Sequence, residues 1–137
     1  MGTGILKDMT TKIKILLVDD QQIVRRGLRM SLGLEGDIHI IGEACDGLEA
    51  IELAKKLAPD VILMDVEIPH MDGITATQTL KTITPDTNVV VLTLHDDADV
   101  KLRTLDAGAF AFVPKHAPLD ALIFTIRQAA TSKDEPT

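Results

Sequence analysis

Five short apolar runs recur along the chain, and segments with a helical spacing of apolar residues separate them. Each run has the length of one β-strand, and most are nearly unbroken by polar residues, which is typical of strands buried on both faces of a parallel sheet. The second run contains His39 and is less apolar, so we expect it at an edge of the sheet. The runs are residues 13–18, 38–41, 61–64, 89–92 and 110–113.

The intervening segments repeat apolar residues at i, i+3 and i+4, as Val24, Leu28 and Leu32 do in the first of them. Strands that alternate with helices form βαβ units, so we predict an α/β fold with a doubly wound, five-stranded parallel sheet and right-handed crossovers. Pro59 and Pro85 stand just before the third and fourth strands, where we expect them to end the preceding helices.

A chain of 137 residues is long enough for one domain. We predict a flexible N-terminal segment at residues 1–11, the folded domain at 12–131, and the start of a linker or tail at 132–137, which is charged and contains Pro136.

Composition excludes several classes of function. Aromatic residues are 2% of the chain, too few for a platform that stacks single-stranded bases, and a net charge of -7 repels phosphate backbones. The single cysteine, Cys45, permits no internal disulfide and fits a reducing compartment. No apolar run reaches the roughly 18 residues of a membrane span, and no signal peptide is evident, so we predict a cytoplasmic protein without membrane contact.

Polar side chains follow four of the five predicted strands. Asp19 and Asp20 come after the first strand, Asp65 after the third, Thr93 ends the fourth, and Lys115 follows the fifth by two positions. The carboxyl ends of parallel strands meet at one edge of a sheet, which we call the carboxyl edge. Any one of these residues alone is more typical of a solvated loop, but the whole set around one edge indicates a site.

Three neighbouring carboxylates repel one another strongly and persist only beside a cation. Mg²⁺ is the natural choice, with Mn²⁺ as a substitute, because it prefers hard oxygen ligands. A carboxylate next to such an ion can attack a phosphoryl group and form an aspartyl phosphate. Lys115 and the Thr93 hydroxyl can then bind the remaining equatorial oxygens of that group.

Over about residues 12–131 the chain resembles the receiver domain of bacterial two-component response regulators. The resemblance rests on the motifs ILLVDDQQIVRRGL, GEACDGLEAIELA, PDVILMDVEIPHMDGI, VVVLTLHDD and AGAFAFVPKHAPLDALIFTIRQA. It implies the flavodoxin-like (βα)5 fold, with strand order 2-1-3-4-5.

The resemblance also implies roles for individual residues. Asp65 would be the phosphoacceptor, and Asp19 and Asp20 would be the acidic pair that holds Mg²⁺. The backbone carbonyl of Glu67 would complete the metal site, while its side chain and His95 would line the access route for water and tune hydrolysis of the acyl phosphate. For His95, a solvated loop residue is the alternative.

Three more roles concern the response to phosphorylation. Thr93 would be the switch hydroxyl, Lys115 the cation that pairs with the phosphoryl group, and Phe112 the aromatic switch residue, with a plain core phenylalanine as the alternative. Pro69 and Gly73 would shape the loop after Asp65.

One departure from the common receiver pattern concerns the residue after Lys115. Many receivers have a proline there, joined by a cis bond, whereas His116 follows here and no cis bond is expected. This feature and the LTLHDD motif resemble the receivers of NarL-type regulators, which carry a LuxR-type helix-turn-helix output domain at the C-terminus. The chain would be either part of such a regulator or a stand-alone receiver in a phosphorelay.

The implied partners are a sensor histidine kinase and a second copy of the chain on phosphorylation, with DNA bound only through an output domain. Such a protein is not an enzyme on other substrates, since it catalyses only its own phosphorylation and dephosphorylation. Two alternatives stay open. A Mg²⁺-dependent phosphohydrolase of the haloacid-dehalogenase type would have an aspartate where Glu67 stands, and a pseudo-receiver would only bind partners.

Overall fold

The computed structural model describes residues 12–67, 72–94 and 97–132. In these ranges five strands alternate with five helices. The strands are β1 Ile13–Val18, β2 Ile38–Ala44, β3 Val61–Met64, β4 Asn88–Thr93 and β5 Ala111–Pro114. The helices are α1 Gln22–Leu32, α2 Gly47–Leu57, α3 Gly73–Ile83, α4 Ala98–Asp106 and α5 Leu119–Ser132.

The strands form one parallel sheet in the order β2-β1-β3-β4-β5. This order confirms the predicted doubly wound α/β fold and places β2 at an edge. Successive strands are added toward one edge of the sheet from β1 to β2 and toward the other edge from β3 to β5. The strand order therefore reverses between β1 and β3, which is where open parallel sheets place their binding crevice.

Helices cover both faces of the sheet, and the core is therefore split into two apolar layers. Ile15 and Leu17 of β1 face α1 and α5, whereas Leu16 and Val18 face α2 and α3. The alternation follows from the two-residue period of a strand. All four side chains are at most 2% exposed, which explains why β1 reads as a nearly continuous apolar run.

Aspartates at the start of three helices determine where those helices begin. Asp46, Asp72 and Asp97 each accept a hydrogen bond from the backbone N–H three residues later, at 2.8–2.9 Å. The cap at Asp72 starts α3 at Gly73. As predicted, Pro59 and Pro85 follow the ends of α2 and α3 closely.

Strand β2 extends to Ala44, three residues beyond the predicted end at Ile41, and contains a β-bulge. Ile40 pairs with Ile15, but the next residue of β1 pairs with Gly42, so that Ile41 is the extra residue. A side chain at Gly42 would meet Leu57 of α2 at 3.0 Å. The bulge thus turns Gly42 toward α2 and brings the next residue, Glu43, to the face that α1 covers.

The ends of the chain lie mostly outside the described residues, so the predicted flexible segment at 1–11 and the tail beyond 132 remain predictions. Helix α5 includes Ser132, one residue further than the predicted end of the domain. No helix in the described part of the chain combines the length and the apolar character that a membrane span requires.

Candidate functional site

The backbone places Asp19 and Asp65 directly at the carboxyl edge. The Asp19 N–H donates to the carbonyl of Ala44 at 3.1 Å, and the Asp65 N–H donates to the carbonyl of Val18 at 3.0 Å. These bonds continue the sheet ladder by one residue beyond β1 and β3. Both carboxyl groups are consequently held at the ends of adjacent, buried strands, and the two residues are 3% and 8% exposed.

The side chain of Lys115 bridges the carboxylates of Asp19 and Asp65. Its backbone N–H donates to the carbonyl of Thr93 at 2.7 Å, which fixes the loop after β5 against β4. Its Nζ donates to Asp19 Oδ2 at 2.8 Å and to Asp65 Oδ2 at 3.2 Å. No peptide bond among the described residues is cis, including that between Lys115 and His116.

The two neighbouring aspartates after β1 have different environments. Both carboxylate oxygens of Asp19 accept hydrogen bonds: Oδ2 from Lys115, and Oδ1 from the Gln21 N–H at 2.9 Å. Asp20 is exposed, and its carboxylate has no hydrogen bond to another described residue. Asp20 is therefore the carboxylate of the pair that is open to a ligand.

The carboxylates of Asp19, Asp20 and Asp65 form a compact acidic cluster. One oxygen from each lies within 4.8 Å of the others. Among the described residues, Lys115 is the one cation hydrogen-bonded to these three carboxylates, so the cluster attracts a further cation. The donor set is all hard oxygen, which fits Mg²⁺ and excludes a zinc site of the usual nitrogen and sulfur type.

Electrostatics couple Lys115 to the two buried aspartates. Burial raises the pKa of Asp65, although the hydrogen bond from the Glu67 N–H and the positive charge of Lys115 oppose this shift. Burial alone would lower the pKa of the Lys115 ammonium, but the hydrogen bond to Asp19 and the negative charge of Asp65 outweigh burial and raise it. Lys115 therefore stays charged at neutral pH and favours ionised Asp65.

Asp65 opens onto a cleft of about 460 Å³ at the carboxyl edge. The lining residues are Asp20, Gln21, Val24, Asp65, Glu67, Leu94 and Lys115. Leu94, for which no role was predicted, is 69% exposed at the mouth of this cleft. Its signal in the sequence is an apolar residue at the first position after β4, where a polar residue is usual.

The start of α3 packs closely against the backbone that follows Asp65. The Gly73 N–H donates to the carbonyl of Val66 at 3.0 Å. A side chain on Gly73 would overlap the Asp65 carbonyl and the Val66 Cα, so only glycine fits at this position. Pro69, the other residue predicted to shape this loop, lies outside the described residues.

The remaining predicted site residues differ in how they are placed. Thr93 is fully buried at the end of β4. Phe112 is partly buried and packs with the layer under α2 and α3. Because Val91 of β4 lies in that layer and Thr93 is two residues further, Thr93 and Phe112 face the same side of the sheet. Glu67 is exposed at the cleft, and His95 lies outside the described residues.

Comparisons with known proteins agree on one family. The response regulator receiver domain model matches residues 15–127. The transcriptional regulatory protein LiaR of Bacillus subtilis is 42% identical over 124 residues, which are 90% of this chain and 58% of that protein. A protein-glutamate methylesterase/protein-glutamine glutaminase of Vibrio parahaemolyticus is 44% identical over 104 residues, 75% of this chain and 28% of that protein.

A solved structure has the same fold. The signal receiver domain of the response regulator NarL from Mycobacterium tuberculosis superposes with a TM-score of 0.84 at 30% identity, covering 88% of this chain and 98% of that domain. The chain spans 50–58% of the length of the curated transcriptional regulators that it matches. On its sequence, its strand order and its acidic carboxyl edge, the chain belongs to the receiver domain family of two-component response regulators.

Proposed function

We propose that Asp65 accepts a phosphoryl group from the phosphohistidine of a sensor kinase and that this event switches the contacts of the domain. One observation carries the proposal. The Asp65 carboxylate opens onto the cleft, with the Lys115 ammonium 3.2 Å from its Oδ2 and two further carboxylates within 4.8 Å. This arrangement matches what phosphoryl transfer needs, because that reaction depends on positioning and charge more than on acid–base chemistry.

In the transfer step, an oxygen of ionised Asp65 forms a bond to phosphorus while the P–N bond of the phosphohistidine breaks. The imidazole leaves with the electron pair of that bond, and the product is a mixed anhydride on Asp65. No proton has to leave Asp65 when the carboxylate is already ionised. Lys115, which lies beside both Asp65 and Asp19, neutralises part of the negative charge on the transferred group.

The acidic cluster requires a divalent cation before a phosphoryl group can enter. Two unit charges about 4 Å apart repel by about 4 kcal/mol at an effective dielectric constant near 20. The carboxylates of Asp20 and Asp65 and the backbone carbonyl of Glu67 would hold Mg²⁺. Asp19 would contact the ion either directly or through a bridging water. When bound, the ion supplies neutralising charge for the phosphoryl oxygens.

The proposed switch runs from Asp65 to the edge of the sheet at β5. Thr93, at the end of β4, would bond a phosphoryl oxygen on Asp65, and Phe112 shares its side of the sheet. A shift of these two side chains would change the face formed by α4, β5 and α5 and favour a homodimer. Exposed apolar residues on α4 and α5, Leu102 and Phe124 among them, support the use of this region as a contact surface.

We propose transcriptional control, with DNA bound by a C-terminal output domain, because the matches cover 87–90% of this chain but only 50–58% of the length of the transcriptional regulators. A stand-alone receiver in a phosphorelay is the alternative. The methylesterase relative shows that similar receivers also occur in proteins named as enzymes, so output does not follow from the receiver alone.

The direct test is incubation with Mg²⁺ and acetyl phosphate, followed by intact-mass analysis. We expect one phosphoryl adduct on the parent chain and none on Asp65→Asn or after removal of Mg²⁺ with a chelator. An undiminished adduct on Asp65→Asn would contradict the proposal. Sustained multiple turnover on a small phosphomonoester would instead favour the phosphohydrolase alternative.

A further inference from the structure

Arg25, in the first turn of α1, joins the acidic loop after β1 to strand β2. Its Nη1 donates to the backbone carbonyl of Asp19 at 2.6 Å, and its Nε donates to Glu43 Oε1 at 2.8 Å. The side chain is only 16% exposed, although it carries a charge. A mostly buried guanidinium with two directed hydrogen bonds is fixed in orientation, so the carbonyl it binds is fixed as well.

Glu43 reaches Arg25 only because of the β-bulge in β2. Regular alternation from Ile40 would turn Glu43 toward α2, but the extra residue Ile41 reverses the faces. Glu43 then also accepts a hydrogen bond from Arg29 at 2.7 Å. Burial alone would raise the pKa of Glu43, but its hydrogen bonds to Arg25 and Arg29 outweigh burial and lower that pKa, so the carboxylate stays ionised.

We propose that Arg25, supported by Glu43, is a positioning residue for the divalent-cation site at Asp19 and Asp20. This inference rests on the proposed function of that site. Within the acidic loop, Arg25 binds the backbone carbonyl of Asp19 rather than a side-chain carboxylate, so it acts by orienting the peptide that links the two aspartates. The Gln21 N–H holds the Asp19 carboxylate from within the loop, and Arg25 holds the carbonyl from outside.

Arg29 provides a matched control. It shares the Glu43 carboxylate and lies one turn further along α1, yet its described hydrogen bond is to Glu43 rather than to the acidic loop. If Arg25 only tied α1 to β2, both arginines would matter equally for the cation. If Arg25 positions the loop, only its loss should change metal affinity.

The test compares Arg25→Met and Arg29→Met by Mg²⁺ titration, with amide NMR resonances of residues 19–21 as the reporter. We expect Arg25→Met to raise the Kd for Mg²⁺ about 10-fold, as loss of outer-shell partners of metal ligands does, and Arg29→Met to leave it within about 2-fold. Urea unfolding of both variants records any loss of stability separately from the Kd.

Equal Kd values for Arg25→Met and the parent chain would overturn the positioning role, and so would equal increases in both variants. If Arg25→Met does not fold, Arg25→Lys is compared with Arg29→Lys, and a Kd raised by about 3-fold or more for the first alone is expected. Equal values for that pair would also overturn it. A parent chain that does not bind Mg²⁺ would refute the proposed function itself, and the positioning role with it.

Discussion

Lys115 and Asp19 are 96 positions apart in the chain, yet Lys115 Nζ donates to Asp19 Oδ2 at 2.8 Å. The same ammonium reaches Asp65 Oδ2 at 3.2 Å. The carboxylate of Asp19 is thereby occupied by the lysine, while the neighbouring Asp20 is left exposed. The site divides its acidic residues between one that positions Lys115 and one that is open to a cation.

Loss of the Lys115 charge should slow phosphorylation. We expect Lys115→Met to reduce the initial rate of adduct formation with acetyl phosphate and Mg²⁺ by about 100-fold, because a preorganised charge beside the reacting carboxylate is removed. The rate is measured by intact mass over time. Lys101→Met, an exposed lysine of α4, is the control and should react like the parent chain; a Lys115 variant as fast as that control would contradict this role.

The ionised carboxylate of Asp65 should destabilise the fold at neutral pH. Its pKa is raised, chiefly by burial, so the folded state holds the Asp65 proton more tightly than the unfolded state. Protonation of Asp65 therefore contributes stability to the folded state at low pH, and this contribution is lost as pH rises through the raised pKa. We expect Asp65→Asn to increase the free energy of unfolding by about 1 kcal/mol at neutral pH without Mg²⁺.

The increase should shrink as pH falls below the usual aspartate range, where Asp65 is protonated in both states. Urea unfolding of the parent chain and of Asp65→Asn across this pH range measures the difference. Asp86→Asn, an exposed aspartate remote from the carboxyl edge, should show little change at any pH. A stabilisation by Asp65→Asn that grows toward low pH would be the opposite of this expectation.

Mg²⁺ should stabilise the fold because it binds the folded state. At a free concentration of ten times its Kd, a ligand that binds only the folded state adds about 1.4 kcal/mol to the free energy of unfolding. We expect that gain in the parent chain, and a much smaller gain at the same concentration in Asp20→Asn. Chemical unfolding with Mg²⁺ and with a chelator measures both, and equal gains would exclude Asp20 as a ligand.

Gly73 should be intolerant of any side chain. A methyl group there would overlap the Asp65 carbonyl and the Val66 Cα, so Gly73→Ala should lower the free energy of unfolding by about 2 kcal/mol. Gly27 in α1 has open space around its Cα, and Gly27→Ala should raise the free energy by about 0.8 kcal/mol through helix propensity. Urea unfolding of both variants gives the comparison, and a neutral Gly73→Ala would show that the loop moves aside.

The sheet and the centre of the site could be predicted because both depend on a regular rule. Apolar runs that alternate with helices imply a parallel sheet, and a parallel sheet brings the residues after its strands together. Asp19, Asp65 and Lys115 therefore meet where the sequence analysis expected them. Their proposed roles in phosphorylation remain to be tested.

The Arg25–Glu43 contact could not be predicted because it depends on an irregularity. Glycine and glutamate interrupt the apolar run of β2, so the strand seemed to end at Ile41, and no two-residue count reveals the bulge there. Leu94 was missed for a related reason. An exposed leucine after a strand has the same sequence signal as a buried one, and only the cleft shows which it is.

The most direct test of the account asks which residue carries the phosphoryl group. After reaction with acetyl phosphate and Mg²⁺, borohydride reduces an aspartyl phosphate to homoserine, and peptide mass spectrometry locates the change. We predict homoserine at position 65 and unmodified aspartate at positions 19 and 20. Homoserine at position 19 or 20, or none at position 65 in a chain that binds Mg²⁺, would contradict the assignment of Asp65 as the phosphoacceptor.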